Sequence, residues 1–148
     1  MKYVIYADGA CSGNGKLEAC AEGSFAVYEL DGELNHEKLR TQKPLHHESR
    51  FAIVCDVKPT NNFAEATALK TALLWANRNG IFADGNEIHI CMDSQLILNQ
   101  FMGFYATKNV RLRKVYQEIY SMLTSEMERQ IHLHWIRGEI MKTSIIGH

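Results

Sequence analysis

Asp8, Glu65 and Asp93 stand in the segments YADGACSGNG, TNNFAEATAL and ICMDSQLILNQ, each where an expected strand or helix meets its neighbour. If a fold brings them to one place, three negative charges within a few ångströms repel one another by several kcal/mol at an effective dielectric constant of about 20. No buried basic residue is at hand to neutralise them, so such a cluster requires bound cations or raised pKa values. Carboxylate oxygens suit divalent metal ions, and phosphodiester cleavage is the natural chemistry of a centre built this way. Taken singly, each acid has a plainer use. Asp8 and Asp93 can cap the turn after a strand, and Glu65 can favour the dipole of a helix from its first turn, a role that coexists with metal binding.

Convergence of these acids depends on the elements that carry them. Residues 3–7 form an apolar run ending at Asp8, broken by Gly9, Gly13, Asn14 and Gly15, which predicts a buried strand followed by a turn. A second strand is expected over 23–30, closed by Asp31-Gly32. Residues 33–50 are polar, contain Pro44 and His46-His47, and show no clear period, so part of this stretch reads as loop; a third strand is expected over 51–57. Ala66, Leu69, Leu73 and Ala76 recur at helical spacing, with Thr60 or Asn61 able to cap the start and Asn79-Gly80 the end. Residues 87–92 read as a strand ending at Asp93, 94–101 as a short helix and 110–129 as a longer one. Ile131, Leu133 and Trp135 alternate with His132 and His134 in a half-exposed last strand. The order predicts an α/β fold: a mixed sheet of five strands, built from an antiparallel meander and right-handed crossovers, flanked by helices. In such a sheet the strands ending at Asp8 and Asp93 lie parallel and adjacent, with Glu65 one turn into the connecting helix.

A chain of 148 residues with 46% hydrophobic and 22% charged residues fits a single domain spanning 1–148 with a substantial core. The net charge of −1 supplies no global attraction to a polyanion, which would have to be held by local features or through metal. The four cysteines form no CxxC pair, which argues against structural zinc or a disulfide framework. Neither a signal-like apolar region nor an apolar stretch of about 20 residues is found, so a cytoplasmic protein with no membrane partner, working as a monomer, is expected. Trp75 and Trp135 are expected in the core, Arg111, Arg113 and Lys114 on a solvated helix face, and the paired and alternating histidines on loop and strand surfaces.

The segments Asp8 to Gly15, Thr60 to Glu65 and Asp93-Ser94-Gln95 resemble, in order and spacing, the three signature segments of ribonuclease H type 1, and His134 to Gly138 is similar to the strand before that family's final catalytic loop. The likeness covers essentially the whole chain. It implies a ribonuclease H-like fold and a two-metal-ion endonuclease that hydrolyses the RNA strand of RNA/DNA hybrids to 5′-phosphate and 3′-hydroxyl products, with Mg²⁺, or Mn²⁺ in its place. By this resemblance Asp8 bridges both ions, while Glu65 and Asp93 hold the ion on the leaving-group side. Cys11, Asn14, Asn61, Asn62 and Gln95 match positions that line the minor groove of the hybrid, and amides suit 2′-hydroxyls because they both donate and accept. Thr60, with Lys58 nearby, resembles a pocket for a phosphate of the DNA strand.

Two departures from the pattern matter. The family's fourth carboxylate, shortly after the last strand, has no counterpart before Ile145-Ile146-Gly147-His148, which makes Glu139 and His148 the candidates for its role. Residues 94–112 also lack the basic, tryptophan-rich protrusion of some bacterial relatives, which resembles a compact branch with weaker, salt-sensitive grip. Two rival readings follow: a hybrid-binding module of the same fold with impaired catalysis, and a nuclease or strand-transfer enzyme of the same architecture acting on DNA.

Overall fold

A computed structural model describes residues 1–13, 20–54 and 58–141. Its centre is a five-stranded sheet in the order β3-β2-β1-β4-β5. Strands β1 (Lys2–Ser12), β2 (Cys20–Leu30) and β3 (His46–Ile53) form the antiparallel meander. Strands β4 (Glu87–Met92) and β5 (Ile131–Trp135) add in parallel, β4 against β1 and β5 against β4. A short α1 (His36–Leu39) lies between β2 and β3, and α2 (Asn61–Arg78) makes the crossover to β4. The β4 to β5 crossover carries α3 (Gln95–Met102), α4 (Val110–Met122) and α5 (Ser125–Gln130); a single turn, α6 (Gly138–Ile140), follows β5.

Alternation along β1 divides the interior in two. Ile5 and Ala7 face a large core shared with Phe25, Val27, Ile88 and Ile90 and covered by α2, α3 and α4. Val4 and Tyr6 face the opposite side, where Tyr28, Leu39, Cys91 and Met141 close a smaller core. Helix α2 buries Ala64, Ala66, Ala68, Leu69, Ala72, Leu73 and Ala76, a mostly small-residue face that lets the helix axis lie close to the sheet. Its N-cap is Thr60, whose hydroxyl accepts from Phe63 N at 3.2 Å, so neither Asn61 nor Asn62 serves as the cap. Asn79 closes the helix through its backbone N–H to the carbonyls of Trp75 and Ala76.

The expected elements differ from the observed ones in four places. The first strand does not end at Asp8: pairing with β2 continues to Ser12↔Cys20, whereas the parallel pairing with β4 ends at Tyr6↔Cys91. The third strand lies at His46–Ile53 instead of 51–57, because a polar strand on the sheet edge buries only alternate side chains, and residues 55–57 lie outside the described residues. The helix expected over 110–129 is two helices, since Leu123 is extended and Thr124 caps a new start by accepting from Met127 N at 3.1 Å. Trp135 is 48% exposed instead of buried, and its indole N–H donates to the Asp93 carbonyl at 3.0 Å. Trp75 is partly buried at the rim of the larger core and stacks on His46 at 4.4 Å. No helix among the described residues is long and apolar enough to cross a membrane.

Candidate active site

Asp8 and Asp93 meet because β1 and β4 are parallel neighbours in register: Tyr6 is paired with Cys91, so two residues further on both chains present an acid. Asp8 is still held in β1 by its pairing with Ser24 of β2 and is 4% exposed. Asp93 has already left β4. Its main chain is fixed from β5 by the indole of Trp135, and the Ile136 N–H to the Met92 carbonyl at 2.9 Å holds the residue before it. Glu65 is brought over the end of β1 by α2.

This approach depends on Gly9. A Cβ on Gly9 would stand 2.3 Å from Ala64 C, 2.4 Å from Ala64 O and 2.4 Å from Glu65 N, so helix backbone rests directly on strand backbone at the one residue without a side chain. Gly138 does a milder version of the same on the other flank, where a Cβ would lie 3.4 Å from Asp93 Oδ2.

The result is a single group of ligating atoms: a carboxylate oxygen from each of Asp8, Glu65 and Asp93, all within 4.8 Å of one another. No other group of at least three such residues is close enough among the described residues. Burial, then the charge of Asp93 and more weakly that of Asp8, push the Glu65 carboxyl up to about 7, against the opposing hydrogen bond from Ser94. The same Ser94 caps α3, its hydroxyl accepting from Ile97 N at 3.2 Å. Three hard oxygen donors at this separation fit a shared divalent cation, which would also relieve the mutual repulsion.

The expected substrate-facing residues divide. Thr60, Asn61 and Asn62 line one cavity of about 600 Å³ beside the acids. Cys11 is tied to the same place: its backbone N–H donates to Asn61 Oδ1 at 2.9 Å and its thiol to the Pro59 carbonyl at 3.4 Å. Gln95 is exposed in the first turn of α3. Glu139 is exposed on α6 and lies outside the acid group, while Asn14 and His148 fall outside the described residues. Arg111 does not sit on a solvated face as expected. Its guanidinium lies 4.4 Å over the Phe63 ring and donates to the Lys58 carbonyl at 2.7 Å, steadying the approach to α2. Gly9, Ser94 and Trp135 were not anticipated as positioning residues; a glycine directly after a buried acid was the available signal.

No family model matches the chain, and no curated protein sequence does. Solved structures do. The N-terminal RNase H domain of Rv2228c from Mycobacterium tuberculosis is 26% identical with a TM-score of 0.73, over 97% of this chain and 93% of that one. RNase H1 from the halophilic archaeon Halobacterium salinarum NRC-1 is 23% identical with a TM-score of 0.73, over 97% and 92%. LC11-RNase H1 in complex with an RNA/DNA hybrid is 24% identical with a TM-score of 0.71, over 96% and 90%.

Proposed function

We propose that the chain is a ribonuclease H of type 1 that cuts the RNA strand of RNA/DNA hybrids with Asp8, Glu65 and Asp93 as its cation ligands, a reading supported by its likeness to solved RNase H1 structures. The observation that carries the reading is the convergence of the three carboxylates within 4.8 Å where the parallel pairing of β1 with β4 ends. Asp8, Glu65 and Asp93 would hold a divalent cation, Mg²⁺ or Mn²⁺, whose charge would supply water activation and stabilise a departing 3′ oxygen, the chemistry that gives 5′-phosphate and 3′-hydroxyl ends.

The protein's own groups do the positioning. Asp8 is the most buried of the three, and it would hold a cation together with the less buried Glu65 and Asp93. Ser94 and Trp135 hold those two by hydrogen bonds, so the ligands are fixed before a cation arrives. Cys11, Asn61, Asn62 and Gln95 face the hybrid in this reading through donors and acceptors suited to 2′-hydroxyls, and Thr60 marks the phosphate pocket. This selects ribose through shape and sugar with little sequence preference.

The test is a hybrid labelled on its RNA strand, incubated with Mg²⁺ beside an all-DNA duplex. Short RNA products bearing 5′-phosphates, an intact DNA duplex and no cleavage by Asp8→Asn are expected. Binding without cleavage points instead to a hybrid-binding module, and cutting of the all-DNA duplex to an enzyme acting on DNA.

A further inference from the structure

Three histidines gather on the sheet face turned away from α2. The parallel register sets His89 of β4 against His132 of β5 and Cys91 against His134, and Cys91 lies in the smaller core, so strand alternation puts all three imidazoles on that side. They touch one another: the His89 ring stacks on His132 at 4.9 Å between centroids and meets His134 at 5.1 Å. His89 is the hub. Its Nδ1 lies 2.9 Å from His134 Nε2, and its Nε2 lies 3.3 Å from Glu87 Oε2, which Lys2 Nζ approaches at 3.9 Å. A carboxylate only accepts, so the proton of the neutral His89 ring is on Nε2, and Nδ1 turns a lone pair toward His134. Burial first, then the charges of His89, His132 and His36, push His134 below the usual histidine range, which keeps it neutral and able to bind a cation. Water reaches the group, since His132 is exposed and Glu87 nearly half so. Touching imidazoles that repel as soon as they charge add little to a half-open sheet face as packing. An imidazole oriented by a carboxylate on its far nitrogen is, by contrast, the arrangement of a metal ligand.

We propose that His89 Nδ1 and His134 Nε2 form a two-nitrogen site for a divalent transition-metal ion of the zinc, copper and nickel class, with Glu87 orienting His89 and water completing the coordination. Two nitrogens on one tetrahedral ion stand about 3.3 Å apart, so the pair has to open by only about 0.4 Å. His134 shifts its ring proton to Nδ1, and the lone pair this leaves on Nε2 binds the ion. Imidazole nitrogens suit these borderline ions, whereas the hard oxygens of Asp8, Glu65 and Asp93 suit Mg²⁺, so the two sites divide their cations by chemistry. His89 stands four residues, about 13 Å of strand, before Asp93, and the site does not depend on the nuclease reading.

The experiment titrates Zn²⁺ into the full chain by calorimetry, in excess Mg²⁺ to compete for the acid cluster, and follows Cu²⁺ by electron paramagnetic resonance. Wild type should bind Zn²⁺ under these conditions, and its Cu²⁺ spectrum should carry the splitting of two nitrogens. His89→Gln and His134→Gln keep a polar side chain of similar size; each should erase that splitting and weaken Zn²⁺ binding more than about tenfold, and Glu87→Gln should weaken it about tenfold. Glu87→Gln, at the surface, reads the same site should either histidine variant not fold. His47→Ala, exposed on β3, should leave binding unchanged. Zn²⁺ affinity that survives His89→Gln, His134→Gln and Glu87→Gln, or that falls as far in His47→Ala, overturns the proposal, as does a wild-type Cu²⁺ spectrum without the two-nitrogen splitting. Cleavage of a hybrid in Mg²⁺ by Glu87→Gln should stay within about twofold of wild type, so failure of this site and failure of the nuclease reading are separate results.

Discussion

Replacing Gly9 by alanine tests whether the acids are held together by close backbone packing. The new methyl carbon would lie 2.3 Å from Ala64 C, while ordinary contact begins near 3.4 Å, so strand and helix must part by about 1 Å. Neither moves readily. The strand is the middle one of the sheet, and the helix is anchored by its buried alanine and leucine face. Overpacking costs typically about 1–3 kcal/mol, and with main chain on both sides the upper end applies, lowering Tm by roughly 6–12 °C for a domain of this size. Because the displaced atoms include Glu65 N, the carboxylate moves with them, and a displacement of about 1 Å at a reacting centre lowers turnover by about a hundredfold. Chemical denaturation in EDTA reads the first effect. A Mg²⁺ titration of hybrid cleavage reads the second as a raised half-saturating concentration. Gly138→Ala is the control: its methyl would meet only the Asp93 carboxylate oxygen, at 3.4 Å, and should cost well under about 1 kcal/mol. If Gly9→Ala matches the wild type in both stability and Mg²⁺ dependence, the glycine contact is not what places Glu65.

Two further expectations concern the charge on Glu65. Its folded pKa of about 7 exceeds the unfolded 4.5, so between these values the folded state binds more protons and the metal-free protein loses stability as pH rises. The loss is about 2 kcal/mol after allowance for partial exposure, and Glu65→Gln should abolish it; urea midpoints in EDTA from pH 4.5 to 8 that run parallel for the two proteins would show the assignment to be wrong. Cations compete with that proton, so their affinity should weaken as pH falls below about 7. Ser94→Ala removes both the α3 cap and the hydrogen bond that favours charged Glu65, costing about 1 kcal/mol and moving the pH midpoint of Mg²⁺ activation upward. A midpoint that stays in place removes Ser94 from the surroundings of Glu65.

The sequence was most legible where burial is one-sided and punctuation is strong. The bounds of β4 and β5 follow from apolar runs cut off at Asp93 and after Trp135, and α2 from a helical stripe between Thr60 and Asn79. Glu65 and Asp93 were legible for the same reason, since each stands beside such a boundary, whereas Asp8 lies within β1 and was marked by the end of its apolar run. What escaped depends on partners distant in the chain. His46 to Glu48 look like loop until β2 supplies the other half of the ladder, and Trp135 looks like core until Asp93 offers its indole a carbonyl. Thr124 broke a helix that periodicity would have continued, because a side chain accepting from Met127 N competes locally with the regular ladder. The pairing of Tyr116 with Gln100 joins two helices and carries no signal in either.

The parallel join of β1 to β4 also sets an order of assembly. The β1–β2 hairpin closes over short separations, but the partner on the other side of β1 is Glu87 to Cys91, and the Met1 ammonium reaches Asn86, 85 residues away, to pin that edge. During synthesis a ribosome must therefore release the whole of α2 and β4 before Asp93 can come alongside Asp8. Until then one flank of the innermost strand is an open ladder, vulnerable to wrong partners and in need of shielding on the nascent chain.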